Sequence, residues 1–103
     1  MANTIRTTGF RTLIAALVKA RHDTGMTQRD LAEKLGCMRA TVANIETGDR
    51  RIDVVELVVL GRALEVEPTK LFELLVESIS DEELRSNFSR PNPREKSKKG
   101  SGE

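Results

Sequence analysis

Five residues of one short stretch, Arg39, Ala40, Ala43, Asn44 and Thr47, have the types and spacing to touch a nucleic acid. At about 100° per residue of helix they fall on one face, opposite Val42 and Ile45. That face offers one long cation, one amide, one hydroxyl and two alanines. A guanidinium can pair bidentately with guanine and a carboxamide with adenine. Alanines let a backbone come close to a surface, and their methyls can touch the methyl of thymine. An ordinary solvated face would carry several Glu and Lys instead.

The elements that must position these groups are readable around them. Residues 27–48 spell two short helices joined by a tight turn. Leu31 and Leu35, four apart, share a face of the first helix of this pair, and Val42 and Ile45, three apart, share a face of the second. Ala32 lies where two steeply crossed helices come closest, so a larger side chain would push them apart. Gly36 and Gly48 follow the two helices directly, where a left-handed backbone is commonly required. Thr27 is a good N-cap, with Asp30 three residues later in the place of a capping-box acid. Such a unit presents its second helix to a DNA major groove.

On either side the pattern stays helical. Phe10, Leu13, Ile14, Leu17, Val18 and Arg21 follow the spacing of an amphipathic first helix. Asp53 can cap a fourth helix that runs to about Leu64, with Val54, Leu57, Val58, Gly61 and Leu64 as its expected inward stripe. Glu67-Pro68 opens a fifth, proline taking a first-turn position where its missing N–H does no harm. Val55 and Val59 then point away from the fourth helix's stripe. In the fifth, Leu71, Leu74 and Leu75 form one stripe, while Phe72, Val76 and Ile79 form a second. A second stripe is costly to leave in water and marks an interface. The expectation is a homodimer through Val55, Val59, Phe72, Val76 and Ile79, the competing arrangement being residues 78–90 folded back over them. The organisation expected is all-α: a loose arm over residues 1–9, a compact five-helix bundle over 10–79, then residues 80–103. There Ser80-Asp81-Glu82-Glu83 has the form of a short extra helix, with Leu84 and Phe88 as its apolar face. From about Ser89 onward Ser, Pro, Lys, Arg and Gly predict a disordered basic tail.

The phrases Gly-Met-Thr-Gln-Arg-Asp-Leu-Ala-Glu-Lys-Leu-Gly and Ala-Thr-Val-Ala-Asn-Ile-Glu-Thr-Gly resemble the core of the Xre/Cro/CI-type helix-turn-helix domain of phage repressors and small bacterial regulators. The likeness covers about residues 10–76 and implies a five-helix, lambda-repressor-like fold whose second and third helices form the DNA-reading pair. It implies base contacts from Arg39, Ala40, Ala43 and Asn44. Phosphate contacts would come from Gln28, flanked by Thr27 and Arg29, and from Thr47, Arg50 and Arg51. It also implies an ion pair between Arg21 and Glu46, with Glu46 structural in role. The resemblance further implies a sequence-specific regulator, repression of a palindromic operator by a dimer being the default. An antitoxin, or another module working through a protein partner such as a toxin on the fourth and fifth helices, is the alternative. Three residues depart from the pattern. Met38 stands where a Ser or Thr usually caps the third helix, at a typical cost of about 1 kcal/mol. Glu65 stands where Gly commonly ends the fourth, and Val55 and Val59 replace polar residues.

Composition bounds the answer in the same direction. At 103 residues, with no tryptophan or tyrosine and three phenylalanines, the chain predicts one domain with an aliphatic core. No apolar run approaches the roughly 20 residues of a membrane span, and the N-terminus lacks a secretory core. One cysteine excludes an internal disulfide and fits the cytoplasm; Cys37, beside Gly36, is read as a buried structural thiol. Net charge is +1, but it is polarised. Residues 1–52 carry nine Lys/Arg against five Asp/Glu, residues 53–83 two against nine, and residues 84–103 six against two. A basic half holding the motif and an acidic half behind it would steer the motif toward phosphates. An enzyme is not expected. His22 is the only histidine and has no ligand set around it, and there is no Gly-rich phosphate loop and no nucleophile with an evident base. Neither metal nor cofactor is called for.

Overall fold

A computed structural model describes residues 7–81 of the chain. Five helices follow one another: α1 (Thr8–Asp23), α2 (Gln28–Leu35), α3 (Arg39–Glu46), α4 (Val54–Ala63) and α5 (Pro68–Ser78). The fold is all-α, as the sequence pattern predicts. The short helix expected from Ser80, with Leu84 and Phe88, and the basic tail lie outside the described residues apart from Ser80 and Asp81.

Each helix starts on a local signal. Thr7 caps α1, its hydroxyl accepting from the Phe10 amide at 3.0 Å, so the helix begins two residues before the expected Phe10. Thr27 and Asp30 form the reciprocal capping box read from the sequence, each side chain accepting from the other's amide at 3.0 Å. Asp53 caps α4 in the same way, with Glu56 completing a second capping box. Met38 makes no side-chain cap for α3 and stays 71% exposed, so packing does not offset the lost cap.

The helix ends repeat one motif. After α1, α2, α3 and α4 the chain turns through a left-handed residue, and the next amide donates back five residues: Met26 to Arg21, Cys37 to Ala32, Asp49 to Asn44 and Val66 to Gly61, at 2.8–3.2 Å. The left-handed residue is glycine at the first three, Gly25, Gly36 and Gly48, with φ of 77°, 74° and 83°. At the fourth it is Glu65, φ 61°, whose Cβ crowds the backbone there. Glu65→Gly is therefore expected to stabilise the domain by roughly 0.5 kcal/mol, the relieved strain exceeding the added freedom of the unfolded chain. A rise in the urea midpoint checks this, and a fall would show that the glutamate adapts without strain.

The core runs through all five helices: Phe10, Leu13, Ile14 and Leu17 of α1, Leu31 and Ala32 of α2, Val42 and Ile45 of α3, Leu57 and Leu60 of α4, Leu64 just beyond it, and Leu71 of α5. α1 packs mainly on α5, and α2 on α3. Ala32 of α2 is buried in this core, so a larger side chain there would have to displace its neighbours. Lys34 reaches from α2 to the Ala63 carbonyl at 2.9 Å and so ties the pair to the end of α4. Cys37 is half-buried against the core and free.

One expectation about α4 fails. Its inward face is Leu57, Leu60, Gly61, Ala63 and Leu64, while Val54 and Val58 are exposed. They occupy a shoulder of the helix that no element among the described residues covers. Apolar periodicity alone cannot separate such a shoulder from the buried face, because Val54, Val55, Val58 and Val59 flank Leu57 and Leu60 with side chains of the same kind.

Candidate nucleic-acid interface

The α2–α3 pair holds its outer surface through one polar network. The Arg21 guanidinium, from the last turn of α1, forms a bidentate pair with Glu46 at the end of α3: Nε donates to Oε2 at 2.6 Å and a terminal nitrogen to Oε1 at 3.0 Å. Both side chains are only 10% exposed. The remaining terminal nitrogen of Arg21 donates to the Met26 carbonyl at 2.8 Å, fixing the turn that leads into α2. Thus one side chain of α1 grips the entry to α2 and the exit of α3. Burial pushes the Glu46 carboxyl up, but the hydrogen bonds from Arg21 and Gln28, with the nearby charges of Arg21 and His22, outweigh it. The carboxyl is held below the usual carboxylate range. Asp30, in the α2 cap, is also held low, by the amide and hydroxyl of Thr27.

Outside this anchor lie the candidate contact residues. Arg39, Ala40, Asn44 and Thr47 are exposed along α3, and Ala43 between them is half-buried. Val42 and Ile45 on the opposite side are buried, so the helix presents the face expected of it. Thr27 and Arg29 are exposed at the start of α2, beside half-buried Gln28. Gln28 joins the two sets: its Nε2 donates to Glu46 Oε1, and its Oε1 accepts from Arg39, both at 2.9 Å. Asn44, Asp49, Arg50 and Arg51 line a shared open depression just past α3. Thr47 there donates to Asp49 at 2.9 Å.

The two arginines of this depression differ. Arg51 is exposed. Arg50 is half-buried and makes a bidentate pair with Glu56 at 2.9 and 3.1 Å, besides donating to the Arg51 carbonyl at 3.0 Å. Hydrogen bonds from Arg50 and from the Asp53 amide hold the Glu56 carboxyl low. Its role is missing from the sequence reading, although Asp53-x-x-Glu56 is a legible capping pattern. Once Asp53 caps α4, Glu56 is held where Arg50 can reach it.

The expected interface residues do not form one stripe. Phe72 lies with Val54 and Val58 along the α4–α5 cleft. Val55 and Val59 instead border a cleft with Leu35, Cys37 and Thr41 on the other side of α4. Val76 is exposed on α5, whereas Ile79 and Leu75 crowd Gly9 of α1, where a Cβ would collide with Ile79. Among the described residues no helix is long and apolar enough to cross a membrane, and no group of His, Cys, Asp or Glu could hold a metal ion.

The family model described as Helix-turn-helix matches residues 17–71, spanning the end of α1 through the first turn of α5. No curated protein sequence matches the chain. Among solved structures, an XRE-family like protein from Pseudomonas syringae pv. tomato is 32% identical, with a TM-score of 0.63 over 67% of this chain and 84% of that one. The restriction-modification controller protein C.Esp1396I is 29% identical, with a TM-score of 0.61 over 71% and 95%. The clp gene regulator ClgR of C. glutamicum shares the fold at 24% identity, with a TM-score of 0.60 over 78% and 97%. With Val42 and Ile45 buried in the core and the opposite surface of α3 turned outward, the chain belongs to the Xre-type helix-turn-helix family of DNA-binding transcription regulators.

Proposed function

We propose that the protein acts as a homodimer on a palindromic operator, each copy laying α3 in the major groove, and represses the promoter it covers. The observation that carries this reading is the outward face of α3. Arg39, Ala40 and Asn44 are exposed there with no acidic residue among the positions of the face itself. Asp49 stands at its far end beside Asn44 and Thr47, and the start of α2 lies at the other end through the Gln28–Arg39 bond. In this reading Arg39, Ala40, Ala43 and Asn44 meet base edges, while Thr27, Gln28, Arg29, Thr47 and Arg51 hold phosphates. Arg50 reaches a phosphate only by sharing its guanidinium with Glu56. Two recognition helices about 34 Å apart would read symmetric half-sites. A regulator of this kind works in the cytoplasm.

We place the dimer contact on the exposed apolar residues of the α4–α5 face, Phe72, Val76 and Ile79 with Val54 and Val58; Val55 and Val59, on the other side of α4, form a separate exposed pair. The same valines favour a second reading, a protein partner such as a toxin neutralised by an antitoxin. The test is fluorescence anisotropy on DNA upstream of the gene, at about 150 mM salt, with excess unrelated competitor. Wild type is expected to bind through the competitor, and Arg39→Ala to lose about 10- to 100-fold in discrimination. Equal displacement by competitor would reject sequence-specific regulation. Sedimentation of a monomer at DNA-binding concentrations would reject the dimer and favour the partner reading.

A further inference from the structure

Glu46 receives hydrogen bonds from two different helices. Arg21 of α1 supplies two, and the Gln28 amide nitrogen of α2 supplies a third at 2.9 Å. A carboxylate can only accept, so it admits one orientation of the Gln28 amide, with nitrogen toward Glu46 and oxygen away from it. That oxygen is the atom that accepts from Arg39 at 2.9 Å on the exposed edge of α3. The buried charge at the end of α3 is thereby connected, through one amide, to the guanidinium at its beginning.

We infer that Glu46 is a positioning residue for base readout, acting through the Gln28 amide to set the direction of the Arg39 guanidinium. The inference rests on reading Arg39 as a base contact. An exposed arginine has many rotamers, and each must be given up when the side chain meets a base edge. The Gln28 oxygen narrows that choice before DNA arrives, and it does so only while Glu46 holds the amide in one sense. The Glu46 oxygen that takes the Gln28 amide nitrogen also takes a terminal nitrogen of Arg21. A glutamine at position 46 would keep its oxygen at that doubly bonded place and preserve the link, whereas alanine removes the acceptor and leaves the Gln28 amide free to turn donors toward Arg39.

The experiment measures discrimination, the ratio of affinities for a duplex selected by the wild-type protein from a random-sequence pool and for a shuffled duplex of the same composition. Uniform changes in phosphate binding cancel in that ratio. Wild type, Arg39→Ala, Glu46→Ala and the double variant are compared, with thermal melts of each. Glu46→Ala is expected to lose about tenfold in discrimination with an unchanged salt slope, and to add less than about twofold in the Arg39→Ala background. Full discrimination in a folded Glu46→Ala protein, or an undiminished further loss in the double variant, would overturn the inference. If Glu46→Ala does not fold, Gln28→Ala decides. It cuts the same link and leaves the Arg21–Glu46 pair in place, so it must show a similar loss of discrimination, and full retention overturns the inference. Unchanged discrimination in Arg39→Ala would instead overturn the reading of Arg39 itself, a separate result.

Discussion

Arg21→Ala is expected to destabilise the domain by roughly 3–5 kcal/mol, the cost of leaving one partner of a buried ion pair without its counter-charge. Glu46 would keep its burial and lose two of its three hydrogen bonds, and the Met26 carbonyl would lose its Arg21 donor. For a small domain that is much of the total stability, so partial unfolding near body temperature is expected. The pair also predicts a pH signature. In the wild type the folded-state Glu46 carboxyl is held low. Its contribution is therefore complete above the unfolded carboxylate range and is lost as pH falls through the folded value. In the variant the carboxyl, buried without its cation, favours the protonated form. The stability gap between wild type and Arg21→Ala should thus narrow on acidification. Asp30 and Glu56, also held low, titrate in both proteins and cancel in the difference. Urea unfolding at neutral and acid pH measures the gap, and a gap independent of pH would show that lost packing dominates.

The second large effect is expected at Leu64→Ala, at roughly 2–5 kcal/mol. Leu64 is 1% exposed and sits just past α4, among the most completely buried side chains of the domain. Its backbone is held by the hydrogen bond its N–H donates to the Leu60 carbonyl and by the left-handed turn at Glu65. The surroundings can therefore do little to collapse into the space vacated. Phe72→Ala removes more atoms, yet Phe72 is 51% exposed on α5, so its cost to the isolated fold should be smaller. Denaturant unfolding of both variants at low protein concentration makes the comparison. A larger loss at Phe72 would mean that its contact with another molecule supports the fold even there.

Much of this architecture is legible in the amino-acid sequence itself. Thr27 with Asp30, Asp53, Pro68, and the glycines at 36 and 48 all act within one helical turn, so their meaning does not depend on the rest of the chain. The exposed face of α3 follows in the same way, because Val42 and Ile45 set which side turns inward. Even the anomalies at Met38 and Glu65 were visible as a missing cap and a missing glycine, since both concern purely local geometry.

What tertiary structure decided is of another kind. Val54 and Val58 are exposed because α5 and α2 leave a shoulder of α4 uncovered, and a run of valines carries no record of where its neighbours stop. Val55 and Val59 were separated from Phe72 for the same reason. Arg50 was claimed by Glu56 once the capped α4 brought that carboxylate within reach. The chain from Arg21 through Glu46 and Gln28 to Arg39 joins residues 25, 18 and 11 positions apart. Sequence by itself determined the helices, their ends and the face that α3 presents, because those depend on contacts three to five residues apart. Apart from the Arg21–Glu46 pair, which the family resemblance implies, the long-range partners of the charged side chains were decided only when the helices crossed, because a hydrogen bond needs atoms about 3 Å apart and no spacing along the chain specifies that.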